Sequence, residues 1–311
     1  MKQILVAVLL PLTLASFATG QGNRTLMTST RPMPKRDPAE VTGTETVALS
    51  TFGIDTNTSY FFRGMRRESN GFRAQPHLEI AYGITEGDGA IRNVDFVFGS
   101  WNDLSDGRTG TAGGRQNWYE SDFYVGTAVG ISDDWAASAT YSFLTSPNGS
   151  FTTVQELALA LSFDDSATWG EDFTGLHPTA AFVFEMRGQA DAIVSNNAQV
   201  ADRGTYGQIG IAPQFELGET ADLRWTLTTP ATVGLSFGNY YEHPVTGRDS
   251  TFGFLSLGAV AKTPFPWMPA RFGPWQMTLS VEVLFLGNST EVMNGGDSIE
   301  LIGGFGMSTV L

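Results

Sequence analysis

The stretch that decides the fold is WQMTLSVEVLF, residues 275–285, because its side chains alternate in character. Every odd position, from Trp275 to Phe285, is apolar or aromatic, whereas the even positions from Gln276 to Glu282 are polar. A period of two is that of a β-strand, since successive side chains of a strand point to opposite faces. The stretch therefore predicts a strand with one face against an apolar medium and the other against a polar one.

The same alternation recurs throughout the chain and predicts about twelve strands, an even number as in bacterial outer-membrane barrels. Apolar even positions oppose polar odd positions over residues 52–62 and 72–84, and the phase is equally clear over 157–163 and 299–307. The predicted strands lie near residues 46–64, 72–84, 91–104, 117–131, 134–146, 151–165, 177–190, 204–218, 223–240, 250–262, 274–287 and 297–310.

One predicted strand, residues 250–262, breaks the pattern. Phe252 and Phe254 lie out of phase with Leu255 and Leu257. An extra residue in a strand reverses the phase of everything beyond it. The sequence therefore predicts a β-bulge at this point.

Composition favours a membrane-embedded barrel over a soluble one. The 311 residues include 36 glycines, 22 phenylalanines and 7 tryptophans, but charged residues make up only 16%. A soluble domain usually has nearer a quarter of its residues charged, so a soluble β-sandwich or lipocalin-like barrel is the weaker alternative. The formal net charge of −14 argues against nucleic-acid binding, and the absence of cysteine excludes disulfides and thiolate metal sites.

The first 43 residues differ from the rest. Lys2 and the apolar run 4–14 predict a signal peptide over residues 1–20, because the run is too short to span a bilayer as a helix. Several prolines without periodicity predict a disordered linker over residues 21–43. Residues 44–311 read as one domain without an apolar run long enough for a transmembrane helix. The prediction is therefore an all-β, transmembrane, antiparallel up-and-down β-barrel among the lipids of a bacterial outer membrane.

Turn lengths and aromatic residues predict the orientation. Short turns such as residues 132–134 are expected on the periplasmic side, and long polar segments such as 105–116 outside the cell. Trp135, Trp225 and Trp275 each begin a strand after a predicted periplasmic turn and would form one interfacial belt. The expected outer belt consists of Tyr60, Phe62, Phe72, Tyr119, Tyr141, Phe143 and Phe237.

The polar faces of the strands would enclose the lumen. The predicted lining is acid-rich and consists of Asp55, Arg63, Arg73, His77, Glu79, Asp95, Glu120, Asp122, Glu156, Glu185, Arg187, Glu216, Arg224, Glu282 and Glu300. Rings of carboxylates select ions by charge, so the first hypothesis is a porin-like channel for passive diffusion of small solutes, favouring cations or neutral solutes. A barrel of about twelve strands lies between the plugged and the open sizes. A structural or binding barrel with a filled lumen and partner-contacting external loops is therefore the second hypothesis.

No residue pattern predicts catalysis, a cofactor or a metal site. His77, His177 and His243 are scattered, and no Gly-x-Ser-x-Gly elbow accompanies them, so an outer-membrane lipid-modifying enzyme is a distant third hypothesis. Three histidines without cysteine make no zinc pattern. The acidic pair Asp164-Asp165 is typical of a solvated turn. Porins are often oligomers, so a homo-oligomer is compatible with these hypotheses.

Several short stretches resemble the TorF-type porin family. Residues 59–65, Ser-Tyr-Phe-Phe-Arg-Gly-Met, are similar to that family's Y-R-F-R-G-I/M signature. Residues 98–102, Phe-Gly-Ser-Trp-Asn, and 119–126, Tyr-Glu-Ser-Asp-Phe-Tyr-Val-Gly, look like its G-x-W-x-N and E-x-D-x-Y-x-G strands. The resemblance covers residues 46–165, and the second half of the chain resembles the family only in the spacing of its predicted strands. It implies an outer-membrane barrel with a porin function and no defined substrate.

Overall fold

Strands dominate the computed structural model, which describes residues 48–69, 71–106, 117–169, 173–191, 203–220 and 223–311. The strands are β1 (Ala48–Asn57), β2 (Tyr60–Phe62), β3 (Met65–Glu68), β4 (Arg73–Glu86), β5 (Ile91–Ser105), β6 (Trp118–Ile131), β7 (Trp135–Thr145), β8 (Val154–Phe163), β9 (Thr179–Arg187), β10 (Thr205–Ile211), β11 (Gln214–Thr220), β12 (Leu223–Thr228), β13 (Ala231–Gly238), β14 (Phe252–Pro264), β15 (Trp275–Leu286) and β16 (Ile299–Val310). The connections include two 3₁₀ segments, Ser166–Thr168 and Ala270–Phe272, and one α-helix, Asn288–Met293. Within the described residues, no helix has the length and apolar character needed to cross a bilayer. The predicted signal peptide (1–20) and linker (21–43) lie outside the described residues.

The wall of the molecule is one antiparallel sheet that closes on itself. β1 pairs with β4 on one side and with β16 on the other, where Thr51 lies opposite Val310. β10 and β11 are two pieces of one wall strand, and β12 and β13 are two pieces of the next, because Pro213 and Pro230 lack the N–H group that a continuous ladder needs. The closed wall therefore has twelve strands, which confirms the predicted all-β barrel.

The outer face of the wall is an apolar belt. On β8, Leu159 and Leu161 are 45% and 40% exposed, whereas Ala158 and Ala160 are buried. β15 repeats the pattern with Leu279, which is 44% exposed. Contiguous exposed apolar surface of this extent is rare in soluble proteins. The belt therefore lies in lipid, where only a closed wall pairs every backbone polar group.

The two ends of the barrel differ in the lengths of their connections. One end carries tight turns such as residues 132–134, and the other carries long connections such as 188–204. Bacterial outer-membrane barrels have short turns on the periplasmic side and long loops outside the cell. At the short-turn end Trp135 is exposed, and Trp225 and Trp275 are partly exposed, as an interfacial belt requires. The barrel therefore lies in a bacterial outer membrane with its long connections facing outwards.

Two irregularities in the strand pairing turn aromatic side chains into the barrel. On β14 the register shifts between Phe252 and Phe254, so Phe252 is 42% exposed on the outer face whereas Phe254 is 2% exposed on the inner face. This confirms the bulge predicted within residues 250–262. A second register shift, after Asp103 on β5, places Tyr119 inside the wall at 3% exposure.

The first strand is shorter than the predicted 46–64. β1 ends at Asn57, and the chain leaves the wall to form a separate hairpin of β2 and β3. The alternation continued past Asn57 because a hairpin strand has the same period as a wall strand. Tyr60 and Phe62 belong to the hairpin and are each 1% exposed, so their assignment, like that of Tyr119, to the outer aromatic belt is wrong. Exposed members of that belt are Phe72, Phe143 and Phe237.

A charge placed in the apolar belt should destabilise the barrel. Leu159→Lys should lower the free energy of unfolding in lipid vesicles by about 2–4 kcal/mol, because the ammonium would lie in hydrocarbon near the middle of β8. Urea titration measures this. The control is Val245→Lys, since Val245 is also apolar but 80% exposed in an extracellular turn. Equal losses in the two variants would contradict a lipid-facing position for Leu159.

Candidate functional site

The hairpin of β2 and β3 is closed by a two-residue turn. Phe62 pairs with Met65, so Arg63 and Gly64 alone make the connection. Their φ angles are 51° and 80°, and a type I′ turn requires positive φ at both positions. Gly64 suits its position because a Cβ atom there would lie 2.9 Å from the ring of Phe254.

The hairpin lies inside the barrel. The hydroxyl of Tyr60 donates to Glu120 on β6 at 2.9 Å. The turn arginine binds Glu156 on β8, and the glycine beside it packs against Phe254 on β14. A segment that reaches three separate parts of a closed ring can do so only from within it. We call residues 60–68 the plug, and since they connect β1 to β4 at the long-loop end, they fill the extracellular half of the lumen.

An apolar cluster surrounds the plug. Phe61 and Met65 have no exposed surface, and Tyr60 and Phe62 are each 1% exposed. The inward side chains that complete the cluster include Trp101, Tyr119, Leu144, Val154, Ala158, Val183, Tyr206, Phe254, Leu284, Leu286 and Ile302. Burial of a large apolar side chain contributes roughly 1.5–3 kcal/mol. The plug is therefore part of the folded core in this conformation.

The guanidinium of Arg63 is bound on several sides at once. Its Nη1 and Nη2 donate to the two carboxylate oxygens of Glu156 at 2.7 and 2.8 Å. Nη1 also donates to the hydroxyl of Tyr240 at 2.7 Å. The guanidinium carbon lies 4.5 Å from the ring centre of Phe62, 4.6 Å from that of Tyr206 and 5.5 Å from that of Tyr240. We call Glu156, Tyr206 and Tyr240 the guanidinium box, because together they offer a bidentate carboxylate and two aromatic faces to one cation.

Two extracellular connections hold the plug from above. The hydroxyl of Tyr241 donates to the backbone carbonyl of Arg63 at 3.0 Å. Asn294, just after the short helix, donates to the carbonyl of Gly64 at 2.7 Å and accepts the backbone N–H of Arg66 at 2.6 Å. These bonds pair the polar groups of the turn that the barrel wall itself does not reach.

Acidic side chains line one side of the wall at the level of the plug. Asp103 and Glu120 are register partners on β5 and β6, and Glu156 and Glu185 are partners on β8 and β9. All four are buried. The Nε of Arg73 lies 3.5 Å from Asp103, and the plug arginine binds Glu156. Because buried charges are costly without partners, the plug and the wall compensate each other here.

The lumen below the plug has a different lining. The ring of His77 packs against Gly53, with its Nδ1 3.4 Å from Asp55, and Tyr124 donates to Glu79 at 3.1 Å. Across the lumen, strands β6 to β9 carry small inward side chains. These are Gly126, Ala128, Ser138, Thr140, Ala160 and Ala181. Strands β6 to β9 therefore contribute little side-chain volume to this part of the lumen.

Most of the predicted lining residues lie on the inner face. Buried members of the set on the wall are Arg73, Glu79, Asp95, Glu120, Asp122, Glu156, Glu185 and Glu282. The prediction that Arg63 belongs to the wall is wrong, because it lies in the turn of the plug. Partly exposed members are Asp55, His77 and Glu300. Exposed members, near strand ends, are Arg187, Glu216 and Arg224. That the set lines a route for solutes stays a prediction.

Sequence reasoning missed several residues that contact the plug or face it. Asp103 lies in the same inward-facing phase of β5 as Asp95, so the alternation alone could have identified it as a lining residue. Tyr240, Tyr241 and Asn294 lie in long connections, where no periodicity applies. Nothing in their local sequence indicates that these side chains enter the lumen.

The three histidines lie at different levels of the barrel. His77 faces Asp55 in the lumen. His177 has its Nδ1 3.7 Å from Asp164 in a periplasmic turn, and His243 accepts backbone N–H groups in an extracellular turn. Over the described residues, no group of three or more histidine or acidic side chains is arranged to hold a metal ion.

The sequence suggested that the acidic pair Asp164-Asp165 is simply solvated, but in the structure the second of these residues has several hydrogen-bond partners. The carboxylate of Asp165 accepts the indole N–H of Trp169 at 2.7 Å and the backbone N–H groups of Leu176 and His177 at 3.0 and 2.8 Å. Burial raises the pKa of this carboxyl, but the hydrogen bonds favour its charged form and hold the pKa below its ordinary value. Asp165 thus anchors a periplasmic turn that is unusually long.

Comparison with solved structures finds distant likenesses. No protein-family model matches the chain, and no curated protein matches its sequence. The β-domain of the Bordetella autotransporter BrkA is 11% identical over 85% of this chain and 98% of its own, with a TM-score of 0.41. An outer-membrane channel from Pseudomonas putida F1 is 10% identical over 89% of this chain and 100% of its own, with a TM-score of 0.46. The NanC porin is 9% identical over 85% and 98%, with a TM-score of 0.39. The fold assignment therefore depends on the strand pairing, and the resemblance to TorF-type porins stays a prediction.

Loss of the buried ion pair should loosen the plug. Glu156→Gln should lower the free energy of plug opening by about 3–5 kcal/mol, because it leaves the Arg63 guanidinium buried without its counter-charge. Hydrogen exchange of the backbone amides of residues 60–68 measures this. The control is Glu300→Gln, whose partner Arg66 is 29% exposed and whose loss should cost less than about 1 kcal/mol. Exchange that is equally fast in both variants would show that the Arg63–Glu156 pair does not hold the plug.

Proposed function

We propose that this barrel is a porin-like channel for small solutes that the plug holds closed. The observation that carries the proposal is the plug itself, a hairpin inserted into the lumen of a closed membrane-spanning wall. The wall does not depend on the plug, since β1 and β4 pair directly from Ala48 opposite Tyr82 to Asp55 opposite Gln75. The plug can therefore leave the lumen without opening the wall, as mobile loops and lids do in other proteins.

The contacts of the plug favour a movable segment over a permanent filling. Its tip is held by polar groups of Glu156, Tyr241 and Asn294, and water or solutes can replace such contacts. Below the tip, the lining combines small side chains on strands β6 to β9 with the polar groups of Asp55, His77 and Glu79, and polar groups suit a water-filled route.

The open lumen would prefer cations or neutral solutes. When the plug leaves, Arg63, Arg66 and Arg67 leave with it, and the wall keeps its carboxylates. At the level of the plug these belong to Asp103, Glu120, Asp122, Glu156 and Glu185. Carboxylates around a constriction attract cations and repel anions.

One observation favours a second candidate, a structural or binding barrel whose lumen stays filled. The plug is embedded in the apolar cluster, and Phe61 and Met65 have no exposed surface. Moving each such side chain into water costs roughly 1.5–3 kcal/mol. In this candidate the plug never leaves, and the extracellular connections contact a partner.

Removal of the plug should open the channel. A short Gly-Ser linker in place of residues 60–68 should replace the small or absent current steps of the wild type with large steps in planar lipid bilayers. The double variant Arg63→Asn/Glu156→Gln should open often to the same level, because it removes the ion pair while asparagine suits the turn.

The matched control for this experiment carries the same linker in place of residues 244–247, a turn in which Val245 is 80% exposed. It should conduct like the wild type. Folding of each variant is checked by the change in gel mobility on boiling. A plugless barrel that shows this change but carries no current would contradict the channel function and favour the filled barrel.

Neutral substitutions on β6 should reduce the cation preference of the plugless barrel. Glu120 and Asp122 are buried on the inner face, at 2% and 4% exposure. Glu120→Gln/Asp122→Asn should move the reversal potential under a salt gradient towards zero, because two carboxylates leave the route. The control Asp297→Asn removes an acid that is 60% exposed and should leave the potential unchanged. If the double variant also leaves it unchanged, these carboxylates do not line the route.

A further inference from the structure

The guanidinium box and the cation inside it belong to different parts of the chain. Glu156 on β8, Tyr206 on β10 and Tyr240 after β13 are attached to the wall, whereas Arg63 is attached to the plug. The box has internal contacts that do not involve the plug. The rings of Tyr206 and Tyr240 are 5.0 Å apart, and the hydroxyl of Tyr206 donates to Gln208 at 2.6 Å. Withdrawal of the plug would therefore leave an assembled box without its cation.

The backbone of the turn indicates that the Arg63 side chain is retained for its contacts in the box. Its φ of 51° lies in the left-handed region, which glycine and asparagine adopt more readily than arginine. In a two-residue hairpin turn the first position is usually Asn, Asp or Gly. Arg63 thus carries a backbone cost that its contacts in the box offset.

We propose that Glu156, Tyr206 and Tyr240 form a binding site for solutes that carry a guanidinium group, and that Arg63 occupies this site as a tethered competitor. The inference rests on the proposed channel function and names the solute class that favours opening. A guanidinium solute can enter the box only when Arg63 is out, so it binds the open conformation better than the closed one. Such differential binding shifts the population towards the open conformation.

The geometry of the box selects guanidinium over ammonium. A planar guanidinium engages both oxygens of Glu156 and stacks on the ring of Tyr206, as Arg63 does. An ammonium is a compact, strongly hydrated point charge that does not match this fork. With the plug in place Glu156 and Tyr240 have no exposed surface, so the bidentate contact of Arg63 is shielded from water.

Binding is tested without any current measurement. Arg63→Gly vacates the box and suits the turn, because glycine adopts positive φ without steric cost, and Arg63→Asn serves as a second variant. In detergent micelles, calorimetric titration should give a dissociation constant for methylguanidinium at least about tenfold lower than for methylammonium, because only the former makes the bidentate contact. Arg63→Gly/Glu156→Gln should lose this preference, and the wild type should bind more weakly than either single variant.

The wild-type chain provides a readout that does not require a variant to fold. Methylguanidinium should accelerate hydrogen exchange of the amides of residues 60–68, and methylammonium at the same concentration should not. Equal effects of the two cations on exchange, together with equal affinities in the single variants, would overturn the proposal.

Current measurements separate the binding site from the channel. In planar bilayers, methylguanidinium should raise the open probability of the wild type more than methylammonium does. If the box prefers methylguanidinium but no variant conducts, the binding site stands and the channel function fails. If the plugless barrel conducts but neither titration nor exchange distinguishes the two cations, the binding site fails and the channel function stands.

Discussion

In the hydrocarbon of a bilayer, an unpaired backbone N–H or C=O group has no water to bind, and this constraint organises the whole structure. The wall meets it by pairing β1 with β16, so that no strand edge faces lipid. Closure divides the side chains of every strand into an outer and an inner set, because neighbours point to opposite faces. The outer set becomes the apolar belt. The inner set encloses a space that water or protein must fill.

The plug fills the extracellular half of that space, and the Arg63–Glu156 pair is one of the contacts that hold it there. Two charges are tolerated away from water only when each satisfies the other, so the pair holds the tip of the hairpin in place. One charge of this pair lies on the hairpin and the other on the wall, so the contact that pairs the two charges also ties the filling to the barrel.

Sequence patterns predicted the strands of the wall nearly correctly, because alternation is a local property. The predicted strand 72–84 corresponds to β4, Arg73–Glu86, and the bulge near Phe254 was visible in the phase of its neighbours. The same reasoning failed after Asn57. A hairpin inside the lumen alternates like a wall strand, and the aromatic rings of Tyr60 and Phe62 suit a membrane interface as well as a core. Only the surroundings of a ring distinguish the two, and the surroundings come from distant segments.

The sequence by itself determined a closed, lipid-embedded wall of about twelve strands, because the alternation within each strand shows which of its faces meets lipid. Only the tertiary structure decided that the extracellular half of the lumen is filled, and by which residues. Arg63 and Glu156 are separated by 93 positions, and Tyr240 enters from another connection. Their meeting depends on the ring being closed around them, and no pattern between neighbouring residues carries that information.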